Sequence, residues 1–144
     1  MLYSTLTENK SQEHIIFYVD DDPDDRQLLT RALNTINNNY RIIEAEDGDE
    51  AMKMLNRLKE TGNLPSLIVL DINMPKIDGK QTYISIKSDK ELSVIPVIIF
   101  STSKSEMDKL FFKRKNTEYI TKPSDYSRIE EVAARILTYC SSPL

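Results

Sequence analysis

The chain carries one cysteine and one histidine in 144 residues, and no large excess of either charge. Each scarcity narrows what the protein can do. Cys140 has no partner for an internal disulfide, which agrees with a reducing compartment, and it reads as a structural residue near the end of the last helix. His14 heads an apolar run with no kinase-type helix around it and reads as a surface residue. No apolar run approaches the roughly 18 residues of a membrane span. Met1 to Lys10 lacks the charged and apolar blocks of a signal peptide, so the expected location is the cytoplasm. Nineteen basic residues stand against 23 acidic ones, a formal net charge of -4. That balance speaks against nonspecific binding to nucleic acid or to an anionic membrane, where a basic patch is expected. The length suits one domain with a full core, so a separate DNA-binding or catalytic domain is not expected.

What the chain does have is five short apolar runs, each ending where polar residues begin. They are Ile15 to Val19 before Asp20-Asp21-Asp22, Arg41 to Ala45 before an acidic turn, Ser66 to Leu70 before Asp71, Val97 to Phe100 before Ser101, and Tyr119 to Thr121 before Lys122-Pro123. Helical periodicity fills the intervals. Asp22 with Pro23 predicts a helix start whose apolar face is Leu28, Leu29, Ala32, Leu33 and Ile36, ended by Asn37-Asn38-Asn39. A second helix is expected over about 49–59, burying Ala51, Met52, Met54, Leu55 and Leu58, with Thr61-Gly62-Asn63 closing it. A third follows Gly79 with Tyr83, Ile84 and Ile86. A fourth is expected over about 104–113 and a fifth over about 125–139, the latter with Ile129, Val132, Ala133, Ile136 and Leu137 inward. Alternating strands and helices imply a parallel sheet covered on both faces, residues 14–140 forming the domain and 1–13 and 141–144 its tails. Buried parallel strands align their carboxyl ends along one sheet edge, where ligands bind in open α/β folds. The groups there, in chain order, are a carboxylate cluster, a lone carboxylate, a hydroxyl and a lysine.

Two carboxylates about 4 Å apart repel by roughly 4 kcal/mol at an effective dielectric near 20, so Asp20, Asp21 and Asp71 need a compensating charge to ionise together. A divalent cation and Lys122 would supply it. Few and hard oxygen ligands suit magnesium that keeps several waters, and a carboxylate beside magnesium is suited to attack on a phosphoryl group. Plainer readings stand beside each assignment: Asp20 to Asp25 as an acidic helix start, Asp71 as a turn former, Lys122 as a surface lysine, Ser101 as a helix cap. A calcium loop counted from Asp20 fails, because Asp25 falls where glycine is needed and Arg31 where the bidentate glutamate belongs. What favours the chemical reading is that four separate strand ends carry the required groups in order.

The combination Val19-Asp20-Asp21-Asp22-Pro23-Asp24-Asp25-Arg26, Leu70-Asp71-Ile72-Asn73-Met74-Pro75 with Asp78-Gly79, Ile95 to Ser101, and Tyr119-Ile120-Thr121-Lys122-Pro123 resembles the receiver domain of two-component response regulators. The Asp22-Pro23-Asp24-Asp25 turn and Ser101-Thr102-Ser103 look most like stand-alone receivers related to those that partner bacterial phytochromes. The resemblance implies a flavodoxin-like (βα)5 fold of sheet order 2-1-3-4-5. It implies a signalling domain rather than an enzyme, one that assists its own phosphorylation and dephosphorylation. Asp71 would accept phosphate from a sensor histidine kinase or phosphotransfer protein, Asp21 would bind Mg2+ directly and Asp20 chiefly through water. The Asn73 backbone carbonyl would complete the protein ligands. Lys122 would neutralise the phosphoryl group, and Ser101 and Tyr119 would act as the switch. The output would leave by protein contact or by passing the phosphoryl group onward, with homodimerisation expected through the face of the fourth helix, fifth strand and fifth helix, where Phe111 and Phe112 offer apolar surface. Two departures stand out: Lys115-Asn116 where many receivers have Gly-Ala, and Thr102 in place of a frequent alanine. A haloacid-dehalogenase-like phosphatase would need a second aspartate two residues after Asp71, where Asn73 stands. A degenerate receiver-like binding module would not be expected to keep Asp20, Asp21, Asp71, Ser101 and Lys122 together.

Overall fold

The computed structural model describes residues 14–74 and 79–140. The two expected tails and the Pro75 to Asp78 part of the turn lie outside the described residues. Strands β1 (His14–Val19), β2 (Tyr40–Ala45), β3 (Leu67–Leu70), β4 (Val97–Ser101) and β5 (Glu118–Thr121) form one parallel sheet in the order β2-β1-β3-β4-β5. The helices between and after them are α1 (Pro23–Ile36), α2 (Gly48–Glu60), α3 (Gly79–Ser88), α4 (Glu106–Arg114) and α5 (Ile129–Leu137). The flavodoxin-like order implied by the resemblance is the one observed.

Strands β1, β3 and β4 are buried on both faces apart from His14, as their continuous aliphatic and aromatic runs require of central parallel strands. Alternation sends their side chains to two separate cores. Phe17, Val19, Ile68, Leu70, Val97 and Ile99 face one side, against Leu55 of α2, Ile86 of α3 and Phe112 of α4. Ile16, Tyr18, Leu67, Val69, Ile98 and Phe100 face the other, against Leu29 and Leu33 of α1 and Ala133 and Ile136 of α5. Strand β2 lies at the sheet edge and is only half-buried over most of its length.

Local chemistry sets the helix ends. The Asp22 side chain accepts from the Asp24 and Asp25 amides with Pro23 at the first position of α1. Helix α2 starts on Asp47 and closes with Gly62 at φ 77, its amide on Lys59 and the Asn63 amide on Leu58. Asn116 takes the left-handed geometry at φ 54, which lets the polar Lys115-Asn116 pair turn the chain into β5.

Four details differ from the sequence expectations. Ile36 is exposed rather than part of the buried face, because Leu29, Ala32 and Leu33 already fill the positions of α1 facing the core; on α3, Ile84 is exposed beside the buried Tyr83 and Ile86. Helix α4 begins at Glu106 and is capped by Ser105, so Ser101 is a strand residue and not the cap. The final segment opens with a short 3-10 turn at Tyr126–Arg128, because the Asp125 carboxylate accepts from both the amide and the hydroxyl of Ser127. Helix α5 then stops at Leu137, short of Tyr139. His14 is half-buried with its ring 6.1 Å from that of Tyr40, rather than free on the surface. Cys140 is half-buried beside the core under α1 and α5.

Candidate functional site

The sheet ladder itself places the site. Val19 pairs with Ala45 on one side and Leu70 on the other, and Ser101 pairs with Thr121. The pairing continues one residue past the strands: Asp20 N donates to Ala45 O at 3.0 Å, Asp71 N to Val19 O at 3.0 Å and Lys122 N to Ser101 O at 2.8 Å. Asp20, Asp71 and Lys122 are therefore held at the carboxyl edge by backbone bonds before any side-chain interaction is counted.

Strand alternation then sorts the side chains. Asp20 follows Tyr18, Asp71 follows Val69 and Lys122 follows Ile120, all on the α1/α5 face, and these three side chains meet. Lys122 Nζ donates to Asp20 Oδ2 at 2.6 Å, to Asp25 Oδ2 at 2.8 Å and to Asp71 Oδ2 at 3.1 Å. Asp20 and Ser101 are fully buried, Asp71 is 3% and Lys122 6% exposed. Asp20, Asp21 and Asp71 each offer a carboxylate oxygen within 4.8 Å of the others, with Asp21 exposed and the other two buried.

Each buried carboxylate has further partners. Asp20 Oδ2 accepts from the Tyr18 hydroxyl at 2.6 Å and Oδ1 from the Asp22 amide at 3.0 Å. Asp71 Oδ1 accepts from the Asn73 amide at 3.0 Å. Burial pushes the Asp20 carboxyl above the usual carboxylate range, against the lowering pull of Lys122, Tyr18 and the Asp22 amide. For Lys122, burial alone would favour the neutral amine. Its bonds to Asp20 and Asp25, with the charge of Asp71, outweigh that and hold the ammonium above the ordinary lysine value. Burial, then the Asp20 charge, keeps Tyr18 a neutral phenol throughout the physiological range.

Ser101 and Tyr119 lie on the opposite face by the same alternation, following Ile99 and preceding Ile120. The Ser101 hydroxyl accepts from the Ser103 amide at 3.2 Å, and the half-buried Tyr119 donates its hydroxyl to the Ser103 carbonyl at 2.7 Å. Ser103 Oγ donates to Asp108 Oδ2 at 2.8 Å, and Asp108 Oδ1 pairs with Lys80 at 2.6 Å, so the β4–α4 loop is tied to both α3 and α4. Asn73, exposed, turns its side-chain amide to Thr102 Oγ1 at 3.3 Å. Of the two phenylalanines of α4, Phe112 is fully buried and Phe111 stays half-buried between the ammonium groups of Lys80 and Lys115.

Three contributors escaped the sequence reading. Asp25 reads there as one of several acids opening a helix, yet it is a direct partner of Lys122. Tyr126 donates its hydroxyl to Asp25 Oδ1 from the turn before α5. Strand β2 also braces the site, through Glu44, which holds Arg26 at 3.1 Å while Arg26 Nη1 donates to the Asp20 carbonyl at 2.7 Å. The available signal was position: Asp25 lies one helical turn beyond the cap Asp22, on the side of α1 that returns to the sheet edge.

The cluster sets the carboxylates of Asp20, Asp25 and Asp71 around one ammonium, with the exposed Asp21 carboxylate beside Asp20 and Asp71. A hard divalent cation fits the Asp20, Asp21 and Asp71 oxygens by donor type and spacing, and it would offset the remaining negative charge. The profile of the response regulator receiver domain matches residues 16–134. Protein PilH of Pseudomonas aeruginosa is 34% identical over 111 residues, covering 76% of this chain and 86% of PilH. Response regulator Rcp1 of Synechocystis sp. is 33% identical, over 72% of this chain and 71% of Rcp1. Among solved structures, the phosphorylated cyanobacterial phytochrome response regulator RcpA superposes with a TM-score of 0.78 at 33% identity, covering 92% of this chain and 100% of RcpA. The Mn(2+)-bound form of Rcp1 gives a TM-score of 0.78 at 29% identity, covering 91% of this chain and 99% of Rcp1.

Proposed function

Since the chain belongs to the response regulator receiver family of two-component signalling, we propose that Asp71 is the phosphoacceptor of a histidine-to-aspartate phosphorelay. The observation carrying this reading is one arrangement: Asp20, Asp21 and Asp71 oxygens within 4.8 Å of one another, with the Lys122 ammonium bonded to two of those residues. The donor is a phosphohistidine of a sensor kinase or phosphotransfer protein. An Asp71 carboxylate oxygen attacks phosphorus, the phosphorus–nitrogen bond breaks, the imidazole leaves with the bonding pair, and an acyl phosphate remains on Asp71.

Asp20, Asp21 and the Asn73 carbonyl would hold Mg2+ beside Asp71, and a bound Mg2+ supplies electrostatic stabilisation of the phosphoryl oxygens. Lys122 pairs with the phosphoryl group. Ser101 donates its hydroxyl to it, and the Ser103 carbonyl bond of Tyr119 breaks as the β4–α4 loop follows. A shift from 1:99 to 99:1 needs about 5.5 kcal/mol, more than one charge-assisted bond of roughly 1.5–3 kcal/mol supplies, so a partner completes the switch. The partner face is α4, β5 and α5, where Met107 and Leu110 are 80% and 46% exposed. Homodimerisation through that face is the form of output we propose, in the cytoplasm. The likeness to RcpA, a cyanobacterial phytochrome response regulator, supports a phytochrome-type kinase as donor.

A small-molecule phosphodonor with Mg2+, read by phosphate-affinity electrophoresis, tests the assignment. The wild type is expected to shift and Asp71→Asn to remain unshifted. A wild type that never labels would overturn the reading in favour of a receiver-like module that binds without phosphate.

A further inference from the structure

A lysine ammonium has three N–H donors, and all three of Lys122 are spent on carboxylates of different elements: Asp20 after β1, Asp25 in α1 and Asp71 after β3. Two of those partners, Asp20 and Asp71, are also two of the three carboxylates close enough to share a cation. Cation and ammonium therefore compete for the same oxygens. Asp25 is outside that triad. Its side chain is only 12% exposed, and its second oxygen is occupied by the Tyr126 hydroxyl, which fixes the carboxylate from the turn before α5.

We propose that Asp25 is the positioning residue for Lys122, the carboxylate that keeps the buried ammonium paired when a divalent cation takes Asp20 and Asp71. This rests on the reading of Asp20, Asp21 and Asp71 as the cation site. Lys122 is almost wholly buried, so a cation that displaced it from all its partners would leave an unpaired charge out of water. With Asp25 in place, the ammonium pivots on one retained charge-assisted bond, staying within reach of a phosphoryl group on Asp71. Without Asp25, Lys122 has only the oxygens that the cation needs, and cation binding weakens. Tyr126 serves the same end by holding the Asp25 carboxylate toward Lys122.

Mg2+ titrations of the full chain, followed by calorimetry and by the tyrosine fluorescence of a protein that has no tryptophan, test this directly. Asp25→Ala is expected to weaken Mg2+ by about ten- to a hundredfold, the worth of one charge-assisted hydrogen bond. Asp25→Asn, which keeps an acceptor oxygen, should recover part of that loss, and Tyr126→Phe should weaken binding less than Asp25→Ala. Asp24→Asn removes an equal charge from the same turn, at an exposed position whose side chain does not reach Lys122, and should change affinity by less than about threefold. Should Asp25→Ala fail to fold, the Asp25→Asn and Asp24→Asn pair decides the matter. Wild-type affinity in Asp25→Ala, or equal losses in Asp25→Asn and Asp24→Asn, would overturn the positioning role while leaving the cation site standing. A wild type that binds no Mg2+ overturns both.

Discussion

Gly79 sits where α3 leaves the site, and its amide donates to the Ile72 carbonyl at 3.3 Å. A methyl group there would lie 2.3 Å from Ile72 Cα and 2.5 Å from the Asp71 carbonyl oxygen, both rigid backbone atoms. The glycine is required by close approach, since its φ is not in the left-handed region. Gly79→Ala must push α3 off the end of β3 or shift Asp71. Urea denaturation should show a loss at the upper end of the roughly 1–3 kcal/mol that overpacking costs, with phosphoryl labelling falling in parallel. Wild-type stability together with wild-type labelling would show that the helix start yields freely. The scale of single residues is also where sequence reading falls short. Pro23 marks Asp22 as the cap, but residue type does not separate the solvated Asp24 from the lysine-binding Asp25, because both satisfy the same preference for acids in a first turn and only their positions on α1 differ.

Elements are joined by a few polar ties on the α2–α3–α4 side. Lys59 near the end of α2 bonds Asp89, just past α3, at 2.7 Å, while the other Asp89 oxygen accepts from the Glu91 and Leu92 amides. The bond to Lys59, then the Leu92 amide, holds the Asp89 carboxyl down to about 2. An unfolded aspartate titrates near about 3.9, so the contribution of Asp89 is complete above that value and is lost as pH falls through about 2. Comparing wild type with Asp89→Asn by urea denaturation at several pH values should show a gap that is level from neutrality to about pH 5 and narrows only as pH falls below about 4. A gap independent of pH would mean that shape rather than charge joins these elements. A similar tie, Lys80 to Asp108 to Ser103, fixes the β4–α4 loop and so sets the resting position of the segment that carries the proposed switch.

For the whole molecule, the sheet divides the functional groups as it divides the core. Asp20, Asp71 and Lys122 meet on the α1/α5 side, whereas Ser101 and Tyr119 belong to the α4 side, which presents Met107 and Leu110 to solvent. The carboxylate–lysine cluster and the exposed apolar residues of α4 are thus on opposite sides of the sheet, connected through the end of β4, while the proposed partner face wraps the β5 edge from α4 to α5. The proposed dimer through α4, β5 and α5 should appear in sedimentation velocity as a shift to a larger species when beryllofluoride, a phosphoryl mimic, is added with Mg2+. An unchanged monomer with and without the mimic would remove self-association from the proposal and leave a different protein as the partner. Among the described residues, no helix is long and apolar enough to cross a membrane.

The sequence alone determined the alternation of strands and helices, the parallel sheet and the four strand ends bearing Asp20, Asp71, Ser101 and Lys122. These follow from patterns a few residues long: apolar runs of strand length, helical periodicity and turn residues. Only the tertiary structure decided that Ile36 and Ile84 face solvent, that Ser105 rather than Ser101 caps α4, and that Asp25, Tyr126, Arg26 and Glu44 support the site. Those outcomes depend on which residue reaches a limited core position or a charge first. Lys122 is the clearest instance, its three hydrogen bonds converging from elements up to 102 residues away in the chain. A lysine before a proline says that the backbone is extended there; which carboxylates will surround its ammonium is settled only when the strands have taken their register.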